Sequence, residues 1–247
     1  MLLKKKATFC ILLLALSAVY MYLPVCGVGS STSGMSAVTD SSFTRGFLDG
    51  KAELDTLYKT AENFTDYTYD SQFTLHKAKG QDGSGSFFFK KVDQMRVQVK
   101  TAGPRNGTVV VKQADGKIRM AGGNLLKFLK MNLSPDSRLL MLPNGYNVIK
   151  SDLVSLLSGV KNAVTAGSQL HASPEPIAID RFRQKVEVLE VTKPKDSAEQ
   201  LTDRIFVNPD TNVPIAWDVF REGNLFSTVT FDNFRGNVGL KDDLFKL

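Results

Sequence analysis

Residues 66–76 alternate along most of their length. Tyr67, Tyr69, Phe73 and Leu75 are apolar or aromatic, and Thr68, Asp70, Gln72 and Thr74 between them are polar. Successive side chains of an extended chain point to opposite faces, so period two over this length predicts a strand with one buried face. Further short strands follow at close intervals: 84–91, 94–101 with Met95, Val97 and Val99 on one face, Thr108-Val109-Val110-Val111, and 117–121. The turns between them fall at 80–83, 103–107 and Ala114-Asp115-Gly116, where the glycine accepts a positive φ. Five strands joined by such short turns form a meander, and its sheet is antiparallel.

Helical spacing occurs in three places. Residues 47–61 carry Leu54, Leu57, Tyr58 and Ala61, and 124–131 cluster Leu125, Leu126, Phe128 and Leu129. Residues 151–164 begin with the capping pair Ser151-Asp152 and carry the stripe Leu153, Leu156, Leu157 and Val160. A second meander then occupies 183–192, 203–207, 213–221 and 225–234. A sheet of nine or more strands accumulates twist and curls. Its few helices must cover one curved face, giving a mainly β fold, an incomplete antiparallel barrel with an apolar hollow.

Ahead of this domain, Lys4, Lys5 and Lys6 precede an apolar run from Ala7 to Val25. A positive flank and a run just short of the ~20 residues that span a bilayer predict export, by a cleaved signal or a retained anchor within 1–26. Export implies an extracytoplasmic site, the periplasm or a membrane facing it. Cys26 closes Leu23-Pro24-Val25-Cys26-Gly27, either as an ordinary cysteine beside a cleavage site or as a lipidation site that would tether the protein. Residues 27–44, rich in Gly, Ser and Thr, suit a flexible linker, leaving 45–247 as one domain. Both cysteines, Cys10 and Cys26, precede that domain, so it has no disulfide and no thiol chemistry.

With the three export lysines set aside, 28 basic residues face 25 acidic ones, and Lys90-Lys91 is the only basic pair in the domain. That pattern predicts no nucleic-acid surface. His76 and His171 stand alone, His171 in what reads as a polar loop. Neither they nor the carboxylate pairs Asp152 with Asp180 or Asp242-Asp243 make a metal site, a triad or a cofactor cradle. The chain reads as a binding protein, with no enzyme activity, metal or cofactor.

Two stretches resemble the periplasmic lipoprotein carrier superfamily, the group of LolA, LolB and RseB-like proteins. The first is Gly83-Ser84-Gly85-Ser86-Phe87-Phe88-Phe89-Lys90-Lys91, continuing to Met95-Arg96-Val97 and the turn Ala114-Asp115-Gly116-Lys117. The second is the terminal meander with Phe231-Asp232-Asn233-Phe234 and Leu244-Phe245. The likeness is nearer to the uncharacterised relatives than to the carriers. It implies a half-barrel lidded by helices, whose hollow accepts acyl chains. Lys91 stands where the carriers have an arginine that contacts the lid, and Val92 where they have proline. Lysine lacks the planar fork that bonds several carbonyls at once.

The parity of the strands puts Tyr67, Tyr69, Phe73, Leu75, Phe87, Phe89, Met95, Val97 and Val99 on one face, and Trp217 of the second meander joins them as a candidate. They form either plain core or the wall of an apolar cavity. Two functions follow. One is a non-enzymatic carrier of lipid or lipoprotein acyl chains, concerned with outer-membrane lipoprotein sorting. The other is an envelope interaction or sensor module that binds a protein while its cavity holds no lipid.

Overall fold

The computed structural model describes residues 46–247, apart from 77–81, 101–104, 127, 143 and 197. The export segment, the linker, Cys26 and parts of the turns read at 80–83 and 103–107 lie outside the described residues. Within them the chain forms strand β1 (Leu48–Asp49), helix α1 (Lys51–Asn63), and strands β2 (Asp66–Leu75), β3 (Gly83–Lys90), β4 (Gln94–Val99), β5 (Val109–Lys112), β6 (Ile118–Ala121) and β7 (Lys130–Leu133). Helix α2 (Leu153–Thr165) follows, then β8 (Gln169–Ala172), β9 (Glu187–Lys195), β10 (Ala198–Asn208), β11 (Val213–Arg221) and β12 (Asn224–Gly236).

All twelve strands belong to one sheet in the order β1-β8-β9-β10-β11-β12-β2-β3-β4-β5-β6-β7, and every pairing is antiparallel. The two meanders meet where β12 pairs with β2, Phe73 lying opposite Val229. The end strands β1 and β7 do not pair with each other, so the barrel stays open. Laid flat at about 4.8 Å per strand, such a sheet would be about 50 Å wide. Two helices, each about 10 Å across, could not cover it. Yet residues from Ile118 on β6 to Leu170 on β8 share one apolar core with both helices, so the sheet wraps around them.

Each helix buries one stripe in this core: Leu54, Leu57 and Ala61 of α1, and Leu153, Leu157 and Val160 of α2. Helix α1 starts at Gly50, whose N–H bonds the Leu170 carbonyl at 2.9 Å. A Cβ there would lie 3.0 Å from the Leu170 side chain and 3.1 Å from the His171 backbone, so any other residue would push the helix slightly away from β8. Asp152 caps α2 by accepting from the Ser155 N–H at 2.9 Å, as the sequence led us to expect. Lys161 pairs with Asp55 at 2.8 Å and joins the two helices.

Other expectations need correction. Residues 124–131 form no helix: a single 3-10 turn at Asn124–Leu126 is followed by β7. Gly122 explains the tight turn, since a Cβ there would stand 2.5 Å from the Leu126 carbonyl oxygen. The rest alternates, with Met131 opposite Met120 and Leu133 opposite Ile118. The helix expected at 47–61 begins four residues later, because Leu48 and Asp49 pair with β8 as an edge strand. His171, read as part of a loop, lies on β8.

The outer face is covered locally. The Asp66 carboxylate accepts from the backbone N–H groups of Val238, Gly239 and Leu240 at 2.7–3.1 Å. This turns the terminal segment so that Phe245 buries against Val109 and Val111. At the other end Ile177, Ile179 and Phe182 cover Val188 and Phe206. A buried ion pair, Arg204 to Glu190 at 2.6 Å, lies on the same outer face.

Candidate ligand-binding face

The inner face has two ends of different character. At the first, the register pairs Tyr67 with Phe89 and Tyr69 with Phe87, then Phe89 with Met95 and Phe87 with Val97. The rings stack, with centroids 5.0 Å apart for Tyr67 and Phe89 and 4.7 Å for Tyr69 and Phe87. Phe234 and Phe64 continue the array at 5.5 and 5.1 Å. Buried tyrosines need partners for their hydroxyls. Tyr67 accepts from the Leu153 N–H at 2.8 Å, and Tyr69 donates to the Ser151 carbonyl at 3.2 Å. Burial, with the Asp152 carboxylate nearby, pushes both phenols well above their ordinary range. These bonds tie the sheet to the first turn of α2.

Lys91 lies at the turn after β3. Its ammonium donates to the Glu62 carbonyl in the last turn of α1, and its backbone N–H bonds the Thr65 carbonyl at 2.9 Å. The lysine thus reaches the helix that covers the sheet, and it supplies one bond there.

At the second end the covering thins. Phe73, Val97 and Val99 are half-buried, as are Val219 and Val229 on the neighbouring strands. Leu75 is buried, but Phe73, Leu75 and Val99 stand outside the main core cluster. Trp217 is buried and donates its indole N–H to Asp203 at 3.0 Å. The structure therefore brings Tyr67, Tyr69, Phe87, Phe89, Met95 and Trp217 together as core and leaves Phe73, Val97 and Val99 part-covered on the same inner face.

Asp203 and Tyr146 border this second end and were not foreseen. Burial raises the Asp203 pKa, partly offset by hydrogen bonds from Trp217 and Thr202. The Tyr146 phenol is pushed up to about 12 by desolvation and then by the Asp203 charge, against the opposing Arg221, while the residue as a whole stays 38% exposed. Arg221 donates to the Asn144 carbonyl at 2.7 Å and anchors the segment between β7 and α2 to β11. Asp203 had a signal in the sequence: it shares parity with inward-facing Ile205 and Val207, so it is a carboxylate at a core position. Tyr146 had none.

Two open depressions, of ≈ 470 and ≈ 450 Å³, lie at the hairpin tips near Leu201, Phe220 and Gly223, and neither includes a candidate residue. His76 contacts Thr228 at 2.9 Å and His171 faces Glu199 at 3.3 Å. Among the described residues no three His, Cys, Asp or Glu side chains gather as metal ligands, and no helix is long and apolar enough to cross a membrane.

The sequence matches no protein-family model and, in a search of curated proteins, no relative. The architecture does have counterparts among solved structures. MucB superposes with a TM-score of 0.50 over 81% of this chain at 13% identity. The fold is like that of MucB. The likeness is one of fold alone, and this chain spans 62% of the MucB chain. Similarity extends at lower scores to the lipoprotein LppX of Mycobacterium tuberculosis (TM-score 0.45, 13% identity, 77% of this chain and 97% of that one). A LolA superfamily protein of Nitrosomonas europaea gives TM-score 0.36 and 10% identity, with 81% and 98% covered. In this sheet the helices fill the first end of the inner face and leave the second part-covered.

Proposed function

We propose that this protein binds an apolar ligand without catalysis, a lipid or the acyl chains of a lipoprotein, and serves lipoprotein sorting or transport at the outer membrane. The observation that carries the reading is the half-buried apolar surface of Val97, Val219 and Val229, packed on a core that helices rather than strands close off, with half-buried Phe73 and Val99 beyond it on the same strands. A strand-closed barrel would need several backbone bonds broken to admit a chain. Here α1 and α2 meet the sheet through packing, one backbone bond at the start of α1 and a few side-chain bonds that involve Lys91, Tyr67 and Tyr69. Displacing them exposes apolar surface that an acyl chain can cover again. Each buried methylene contributes about 0.8 kcal/mol, so a long chain binds with no hydrogen bond at all. The N-terminal basic and apolar segment fits a protein working outside the cytoplasm, free or tethered through Cys26 or an uncleaved anchor.

Native mass spectrometry of the protein isolated from its membrane fraction tests the reading. Co-purified lipid on the folded protein, displaced by a fluorescent fatty acid, supports it. An empty protein that ignores the fatty acid refutes it. One observation favours a second reading, a module that binds a protein at its rim: the stacked rings of Tyr67, Tyr69, Phe87 and Phe89 already occupy the first end. Capture of a protein partner by the lipid-free form would support that alternative.

A further inference from the structure

We propose that the segment from Leu126 to Lys150 is a docking surface for an anionic lipid bilayer. The proposal rests on the lipid-binding reading and adds where the ligand is met. Among the described residues eight large apolar side chains are exposed, and five of them lie here: Leu126, Phe128, Leu139, Met141 and Tyr146. Phe128 is 80% exposed and Leu139 51%. Single exposed apolar residues need no explanation; five of the eight on one stretch of chain call for one.

The charge of the segment indicates what covers it. Lys130, Arg138 and Lys150 are exposed, and Asp136 is the only acidic residue between them. Three cations and one anion give the described part of the stretch a net charge of +2. No ion pair among the described residues occupies these three cations. Apolar side chains interleaved with free cations suit the boundary between acyl chains and anionic head groups, where the rings and aliphatic groups embed and the cations stay with phosphate.

The exposure does not come from a poorly held loop. Leu140 and Ile149 are buried in the core. Asn147 donates to the Pro135 carbonyl at 2.9 Å, and the Leu142 N–H bonds the Tyr146 carbonyl at 2.8 Å. Asn144 is held by Arg221 of β11. Residues 134–150 form a fixed strap from the edge strand β7 to β11, and Tyr146 lies where the strap borders Asp203 and the second end of the inner face. Docking would bring that part-covered face to the membrane, so that a chain need not cross water.

Fluorescence of Phe128→Trp in the full-length protein tests this, because the indole reports locally even if the N-terminal segment also holds the protein on vesicles. Trp217, buried, supplies a constant background. Brominated lipid in vesicles of phosphatidylcholine with phosphatidylglycerol should quench the F128W indole, and phosphatidylcholine alone should quench it much less. Arg138→Gln and Lys150→Gln should each weaken the partition about five-fold, and Leu139→Ser should weaken it further, with unchanged circular dichroism. An indole that stays unquenched, or quenching indifferent to lipid charge and to these variants, overturns the proposal. Fatty-acid binding measured without vesicles separates the two readings. Quenching without fatty-acid binding keeps the docking surface and removes the cavity; fatty-acid binding without quenching does the reverse.

Discussion

The two ends of the inner face are built from the same strands, in one register, and differ in what lies over them. Tyr67, Tyr69, Phe87 and Phe89 are covered by helix α2 and by one another, and their hydroxyls are bonded to the start of that helix. Phe73, Val97 and Val229 continue the same apolar rows but are only half-covered. A strand pattern decides which face a residue is on. The elements packed against that face decide whether the residue becomes core or surface open to a ligand. The first end gives the fold its stability, and the second leaves apolar area unburied.

Carboxylates at the two ends should separate these roles most strongly. Met95 is 1% exposed beside Phe89, and Met95→Glu strands a charge there at a cost of about 3 kcal/mol or more. We expect loss of the cooperative melt in circular dichroism. Phe73→Glu keeps its charge near solvent and should fold, while its affinity for a fluorescent fatty acid falls at least about ten-fold, since the apolar contact is replaced by a carboxylate. If both variants unfold, the second end is core as well. If Phe73→Glu binds normally, it is not the site.

A smaller effect is expected at the latch. Lys91→Met removes the bond to the Glu62 carbonyl, and for an exposed donor that amounts to about 0.5–1 kcal/mol. Faster amide exchange in the last turn of α1, with α2 unchanged, is the expected readout, and Lys91→Arg should restore protection. Unaltered exchange in Lys91→Met would mean that packing alone seats the helix.

The smallest effects are those of two aspartates, and they run in opposite directions with pH. Asp203, at the second end, has its pKa raised by burial above the ordinary 3.8, so its unfolded form ionises first. Its contribution is present at acid pH and is lost as pH rises from about 4 through its folded pKa. Asp70, on the outer face, is lowered to about 2 by hydrogen bonds from Ser86, Lys100 and Asn233. Its contribution is present above about 4 and is lost as pH falls towards 2. Chemical melts of Asp203→Asn should lose the decline on the first limb, and those of Asp70→Asn the decline on the second. Since Asp70 is 41% exposed, its effect is the weaker. A slope unchanged in either variant would show that the aspartate does not titrate differently on folding.

Much of this arrangement is legible in the chain. The alternation around Tyr67 and Tyr69, and the shared parity of Phe87, Phe89, Met95 and Val97, foretold a register in which a one-residue slip would have inverted every side chain. Helix α2 announced itself through its cap and stripe. Strands β1 and β8 did not: they hold two and four residues and lie outside the two meanders, and Gly50 bonds Leu170 where they meet α1. The run at 124–131 misled because four apolar residues cluster there, while Gly122 and Gly123 forced a tight turn instead. The difference between the two ends was illegible for a physical reason: it depends on coverage by helices and strap, and alternation records sidedness only.

The pairing of β12 with β2 has a consequence in time. Thr74 waits for Thr228, and Tyr67 for Gly236, so the middle of the sheet joins residues more than 150 positions apart. A chain that emerges from its N-terminus can form the meander from β2 to β6 early, but it cannot obtain its central ladder until β12, the last of the described strands, is available. Contacts of such sequence separation are slow to form, because the loop between them must be closed before any bond is gained. The first meander thus spends its early life with β2 as a bare edge, and commitment to the native state is deferred to the end of the chain.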